Sequence, residues 1–238
     1  MNEEELQILF VLYLIVIIFK ACLSVYLGAR VVGRAKRKEE FELDFLFGVF
    51  FLMVCLLISR SLYLYFDFFL TGFDTALFHV YPNIVVWKFA ALINSLGFVV
   101  LLFIFDMKAL KFKTKGALSY AFLAIELFRF FYPVNSEADF RFISAIGFIE
   151  MPFVAIIPIT FIYMGIKVET IRKKALIVVL GILIYGLGGI LVGESTLGPL
   201  REAYGTQIHI FIFLMFLISK IVGLSMLSYS FPKFYAED

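Results

Sequence analysis

Two cysteines and two histidines are all that the 238 residues hold of the soft metal ligands, and their placement excludes the chemistry they usually serve. Cys22 and Cys55 stand singly inside apolar runs, with no second pair to build a disulfide framework or a thiolate metal site, and read as small packing residues. His79 and His209 lie at or beyond the ends of apolar runs. Neither a His-Glu-x-x-His helix nor a serine with a histidine at matching depth is therefore available. No apolar run carries an aspartate at mid-depth, which removes the paired-aspartate hydrolases too. The expectation is no catalytic residue, no metal and no cofactor; an enzyme using Glu126 or Glu150 as acid or base would have no supporting residue set.

Charge is also scarce. Asp, Glu, Lys and Arg make up 17% of the chain, against ~25% in soluble domains. Hydrophobic residues reach 63%, with 31 Phe and a mean hydropathy of +0.99. Nothing is left over for a soluble domain. The apolar runs do not alternate with period two, which excludes the ~10-residue strands of an outer-membrane barrel. Ahead of the first run stand Glu3, Glu4 and Glu5 where a signal peptide would carry a basic segment, so that run is expected to be a transmembrane helix of the mature chain.

Counting runs long enough to cross a ~30 Å hydrocarbon layer predicts an all-α polytopic membrane protein, one domain over residues 1–238, with seven helical spans. They fall at about 6–29, 44–69, 84–105, 116–132, 142–166, 175–192 and 207–230. Most of the 21 basic residues collect in alternate connections: Arg30, Arg34, Lys36, Arg37 and Lys38, then Lys108, Lys111, Lys113 and Lys115, then Lys167, Arg172, Lys173 and Lys174, with Lys233 in the tail. The positive-inside rule then predicts an outer N-terminus and a cytoplasmic C-terminus, in the cell membrane. These loops need no nucleic-acid or anionic-lipid partner to explain them, since topology already places them. The net charge of +2 points to no polyanion.

What remains is the charge inside the spans: Lys20, Arg60, Lys88, Glu126, Arg129, Glu150 and Lys220. Each costs about 2.5–3.5 kcal/mol on insertion scales at the centre of a bilayer, so each should face the interior, pair or snorkel. In the run FLAIELFRFFYP, Phe122 to Pro133, Glu126 and Arg129 are spaced i, i+3 and share a helix face. Taking Pro133 as the outer end, Arg129 lies ~6 Å and Glu126 ~10 Å inside it, and Arg60, Lys88 and Glu150 reach comparable depth in their own spans. Arg60, Lys88, Glu126, Arg129 and Glu150 are thus the expected polar cluster of the outer half. With three cations against two anions, it would suit an anionic, zwitterionic or amphipathic small molecule. The competing reading is that these ion pairs only fix helix register.

Lys20, Asn94 and Lys220 form a second, deeper polar set, in which Lys220 is expected to hydrogen-bond Asn94 or Ser95. A retinal Schiff base on Lys220 lacks its counter-ion, because the third span offers Asn94 where a carboxylate would be needed. Gly181, Gly186, Gly188, Gly189 and Gly193 thin the sixth span for close packing or bending, and Pro152 and Pro158 should kink the fifth near Glu150.

Three functions fit these features. One is a receptor-like or sensory module with an outward polar pocket, its output passed to a separate cytoplasmic signalling partner. Another is a small solute transporter or channel of three-plus-one-plus-three helices, a plan echoed weakly where YLGAR, Tyr26 to Arg30, resembles YMGIK, Tyr163 to Lys167. The last is a structural membrane subunit with no ligand. The lipid bilayer is a partner in all three.

Overall fold

The computed structural model describes residues 3–192, 194–205 and 208–230. Gly193, Gln207 and the tail with Lys233 lie outside the described residues. The described chain is all-α, with no strands. Its helices are α1 (Glu3–Lys38), α2 (Phe45–Leu64), α3 (Asn83–Lys108), α4 (Ala117–Phe131), α5 (Glu137–Ile146), α6 (Met151–Lys167), α7 (Arg172–Leu191), α8 (Glu194–Tyr204) and α9 (Ile208–Ser230). A π-helical stretch, Tyr65–Thr71, extends α2, and a 3₁₀ turn, Gly147–Glu150, joins α5 to α6.

Six helical runs are long and apolar enough to cross a membrane: Glu3–Lys38, Phe45–Thr71, Asn83–Lys108, Glu137–Lys167, Glu169–Leu191 and Ile208–Ser230. They coincide with six of the seven expected spans. The remaining one, expected over 116–132, is α4, whose 15 residues reach only ~22 Å against the ~30 Å of a hydrocarbon layer. Two local causes shorten it. Gly116 starts the helix from a left-handed conformation, φ +78, which only glycine adopts without cost, and Pro133 follows directly on its C-cap, Tyr132. At the other extreme α1, with 36 residues, is ~54 Å long. Acidic residues fill its first turn and basic ones its last, which complements the helix dipole.

Burial departs from that of a water-soluble domain in its exposed apolar surface and its buried charges. Val25, Phe69, Phe131, Ile159, Ile166 and Leu187 are exposed, whereas Lys20, Ser95, Asp106, Glu126, Arg129 and Lys220 are buried. Apolar surface on that scale is unfavourable in water and costs nothing against acyl chains.

The chain divides into two compact units. One comprises Lys20–Ile157. Within it α2 packs on α3 and α3 on α4. Gly97 lets α3 approach α2, since a Cβ there would lie 2.8 Å from Leu52 Cδ1 and 3.1 Å from Leu52 Cα. In the connection after α1, Arg34 bonds Asp44 and Glu42, and Asp44 caps α2 by accepting from the Phe47 N–H at 2.8 Å. Its hydrogen bond with Lys38, followed by the Lys38 charge, holds the exposed Glu42 carboxyl below its usual range.

Asp106, fully buried at the end of α3, organises the turn into α4. Its carboxylate accepts from the backbone N–H groups of Thr114 at 3.3 Å and Gly116 at 2.7 Å. Asp106→Ala strands both donors and is expected to cost about 1–3 kcal/mol in thermal melts. Asp106→Asn, which keeps one acceptor, should cost less. Melts unchanged by the alanine would show that the turn holds without this carboxylate.

The other unit comprises residues up to Phe19 together with Pro158 onward. In it α7 packs on α9, and α8 on α9. The crossing is built on small residues: Gly181 meets the Gly223 carbonyl, and Gly188 meets Ser219. Gly186 has nothing within 4 Å of where a Cβ would stand, so only part of the glycine run serves close packing. Tyr13 of α1 stacks on Phe213 of α9 at 5.3 Å.

Candidate functional site

α4 buries Ser119, Phe122, Glu126 and Arg129 along one face and exposes Leu127, Phe128 and Phe131 on the other. An amphipathic helix in water would do the reverse. That face brings Glu126 and Arg129 into contact, Nη1 donating to Glu126 Oε2 at 2.6 Å. The same Nη1 donates to Glu150 Oε1 at 3.3 Å, and Nε donates to the backbone carbonyl of Ile143 at 3.0 Å. Glu126, Arg129 and Glu150 expose only 1%, 9% and 12% of their side chains. One guanidinium therefore ties α4 to α5 and to the 3₁₀ turn that carries Glu150.

Glu150 reaches Arg129 because the chain leaves α-helical winding at Gly147–Glu150. Pro152 follows two residues later, in the first turn of α6, where its missing N–H is tolerated. Gly147 lies against the guanidinium, 3.7 Å separating Arg129 Nη2 from the position of a Cβ. The Glu126 and Glu150 carboxyl groups thus meet at one guanidinium nitrogen, each within hydrogen-bond distance of it.

Aromatic residues that the sequence does not mark complete the surroundings. The Arg129 guanidinium lies over Trp87 at 5.5 Å from the ring centroid. Trp87 packs edge-on against Phe140, part of an apolar cluster with Ile84 and Ile143. Tyr63 lies in the combined field of Arg129, Glu126, Asp67 and Arg60. It stands at the end of α2, just before the π-helical stretch. Single π-turns are rare and recur at functional sites.

The other expected site residues are placed as follows. Lys88 donates to the backbone carbonyl of Tyr132 at 2.5 Å, so its ammonium caps the end of α4. Arg60 is half-buried on α2, its charge felt at both Tyr63 and Lys20. Lys20 donates to the Leu56 carbonyl at 3.1 Å. Asn94 is half-buried on α3 beside buried Ser95. Lys220 donates to the Tyr185 carbonyl at 2.9 Å, with its ammonium 3.4 Å from the Tyr185 ring centroid. Of the five residues expected in one cluster, Arg129 bonds Glu126 and Glu150 directly. No group of three His, Cys, Asp or Glu suited to a metal occurs among the described residues.

Fold and site together define an all-α chain with six membrane-capable helices, as a multi-pass membrane protein requires, and with a buried ion-pair triad. Comparison with protein-family models, with curated proteins and with solved structures finds no match to this chain.

Proposed function

We propose that this chain is a seven-span protein of the cell membrane, single in domain, with its N-terminus outside and its C-terminus in the cytoplasm. It acts as a receptor-like or sensory module for a small polar, anionic or amphipathic ligand. α4 serves as the fourth span, its short length met by local thinning of the bilayer or by flanking residues that reach the interface. The basic connections after α1, α3 and α6 support the orientation. A separate cytoplasmic partner would take the output.

One observation carries this reading: a single guanidinium is shared between two buried carboxylates on different elements, one of them on a 3₁₀ turn. Such a tie has two discrete arrangements, with Glu150 engaged or released. An anionic ligand competing for Arg129 would release the longer bond, to Glu150, and free the start of α6 to move. Arg60 and Lys88 would supply further attraction.

The register-fixing reading has its own support, because Nε and Nη1 of Arg129 are already engaged without a ligand. Thermal stability of the detergent-purified protein against organic acids, amino acids, phosphates and lipids separates the two. A binder present at 100 times its Kd should stabilise the wild type by about 2.7 kcal/mol. Arg129→Gln and Glu126→Gln, each compared with its own unliganded melt, should lose that gain. No stabilisation by any compound would overturn the sensory reading in favour of the structural one.

A further inference from the structure

The meeting of Glu126 and Glu150 at one Arg129 nitrogen has a chemical requirement. Ionised carboxylates only accept hydrogen bonds, so two that share one guanidinium nitrogen can bond each other only when one of them carries a proton. Charge balance leads to the same place. Both carboxyls touch the same guanidinium nitrogen, and both are nearly sealed from solvent. Two carboxylates against one guanidinium would leave the triad itself with a net negative charge in a site nearly sealed from solvent, at a cost of several kcal/mol unless a proton or a further cation offsets it. With one proton shared, the triad is neutral.

We propose that Glu126 and Glu150 form an intramembrane proton-binding site: the pair holds one proton between its carboxyl groups and exchanges it with water as a unit. Uptake forms one O–H bond on the pair and takes the triad from a net charge of minus one to zero; release returns the proton to water. The proton belongs to the pair and not to either residue. The groups around it are Arg129 on α4, and Tyr63 from the α2 segment with Arg60 and Asp67 in its field. From α3 come Trp87 and Lys88, the latter spent on the Tyr132 carbonyl. Because Glu150 sits on the 3₁₀ turn, losing the proton changes the charge where α5 meets α6.

The proposal deepens the reading of the triad as the functional centre, but it is tested on protein without ligand. Infrared spectra of the wild type at neutral pH should show a protonated-carboxyl stretch that disappears in Glu126→Gln and in Glu150→Gln, because each variant leaves one carboxylate for one guanidinium. Glu150→Asp, which keeps the carboxyl, should displace the band; it decides the matter if a glutamine variant does not fold. A wild type without the band, or a band unchanged in these variants, would overturn the proton site. That result leaves the sensory reading standing, just as failure of every ligand leaves the proton site standing.

Discussion

Arg129→Gln is expected to destabilise the protein by about 3–5 kcal/mol, the cost typical of breaking a buried ion pair by removing one partner. The size follows from what is left behind. Glu126 and Glu150 lose the donor they share, the Ile143 carbonyl loses the Nε hydrogen bond, and the Trp87 face loses its cation. Lys88→Gln is the fitting control. It removes a charge at the same end of α4, but strands only the Tyr132 carbonyl and should cost about 1 kcal/mol. Combining Arg129→Gln with Glu126→Gln and Glu150→Gln should recover part of the loss, since the stranded carboxyls are then gone. Thermal melts of the three variants and the wild type in one detergent check this. A loss for Arg129→Gln no larger than that for Lys88→Gln would mean that the triad is not a structural tie.

How far the sequence discloses this site depends on the kind of partner each side chain takes. Glu126 and Arg129 are legible because two opposite charges at i, i+3 stand out against the nine apolar residues of FLAIELFRFFY. Glu150 followed from depth, and Pro152 marked the break in winding beside it. Lys20, Lys88 and Lys220 all donate to backbone carbonyls, and a carbonyl leaves no trace in the sequence. Tyr63 and Trp87 were hidden differently, because in a chain with 31 Phe and 12 Tyr one more aromatic residue carries no contrast. Asp106 is silent in the sequence, because its partners are backbone N–H groups eight and ten residues further on. The span count shows a similar limit. The run at 116–132 is apolar enough, but the left-handed Gly116 and the proline after Tyr132 trim the helix to 15 residues.

Helix rotation is equally invisible in the glycine run of α7, which is apolar on every side and so gives no sign of which face meets α9. The structure picks out Gly181 and Gly188, and across the interface Gly223. A Cβ on Gly223 would stand 2.8 Å from the Gly181 carbonyl oxygen, from Tyr185 N and from Tyr185 Cβ. Two of those atoms are backbone and cannot rotate away, so the helices themselves must separate. Gly223→Val should therefore exceed the ~1–3 kcal/mol usual for overpacking a core. It should also loosen the Lys220 hydrogen bond to Tyr185, which spans the same crossing. Gly186→Ala, with nothing in its way, should be neutral or should gain up to ~1 kcal/mol from helix propensity. Between lipid-facing helices the hydrophobic effect supplies little association energy and close packing must supply most of it. Opposite signs for the two substitutions in detergent melts would thus place the stability of the α7–α9 pair in backbone contact; equal and small effects would place it elsewhere.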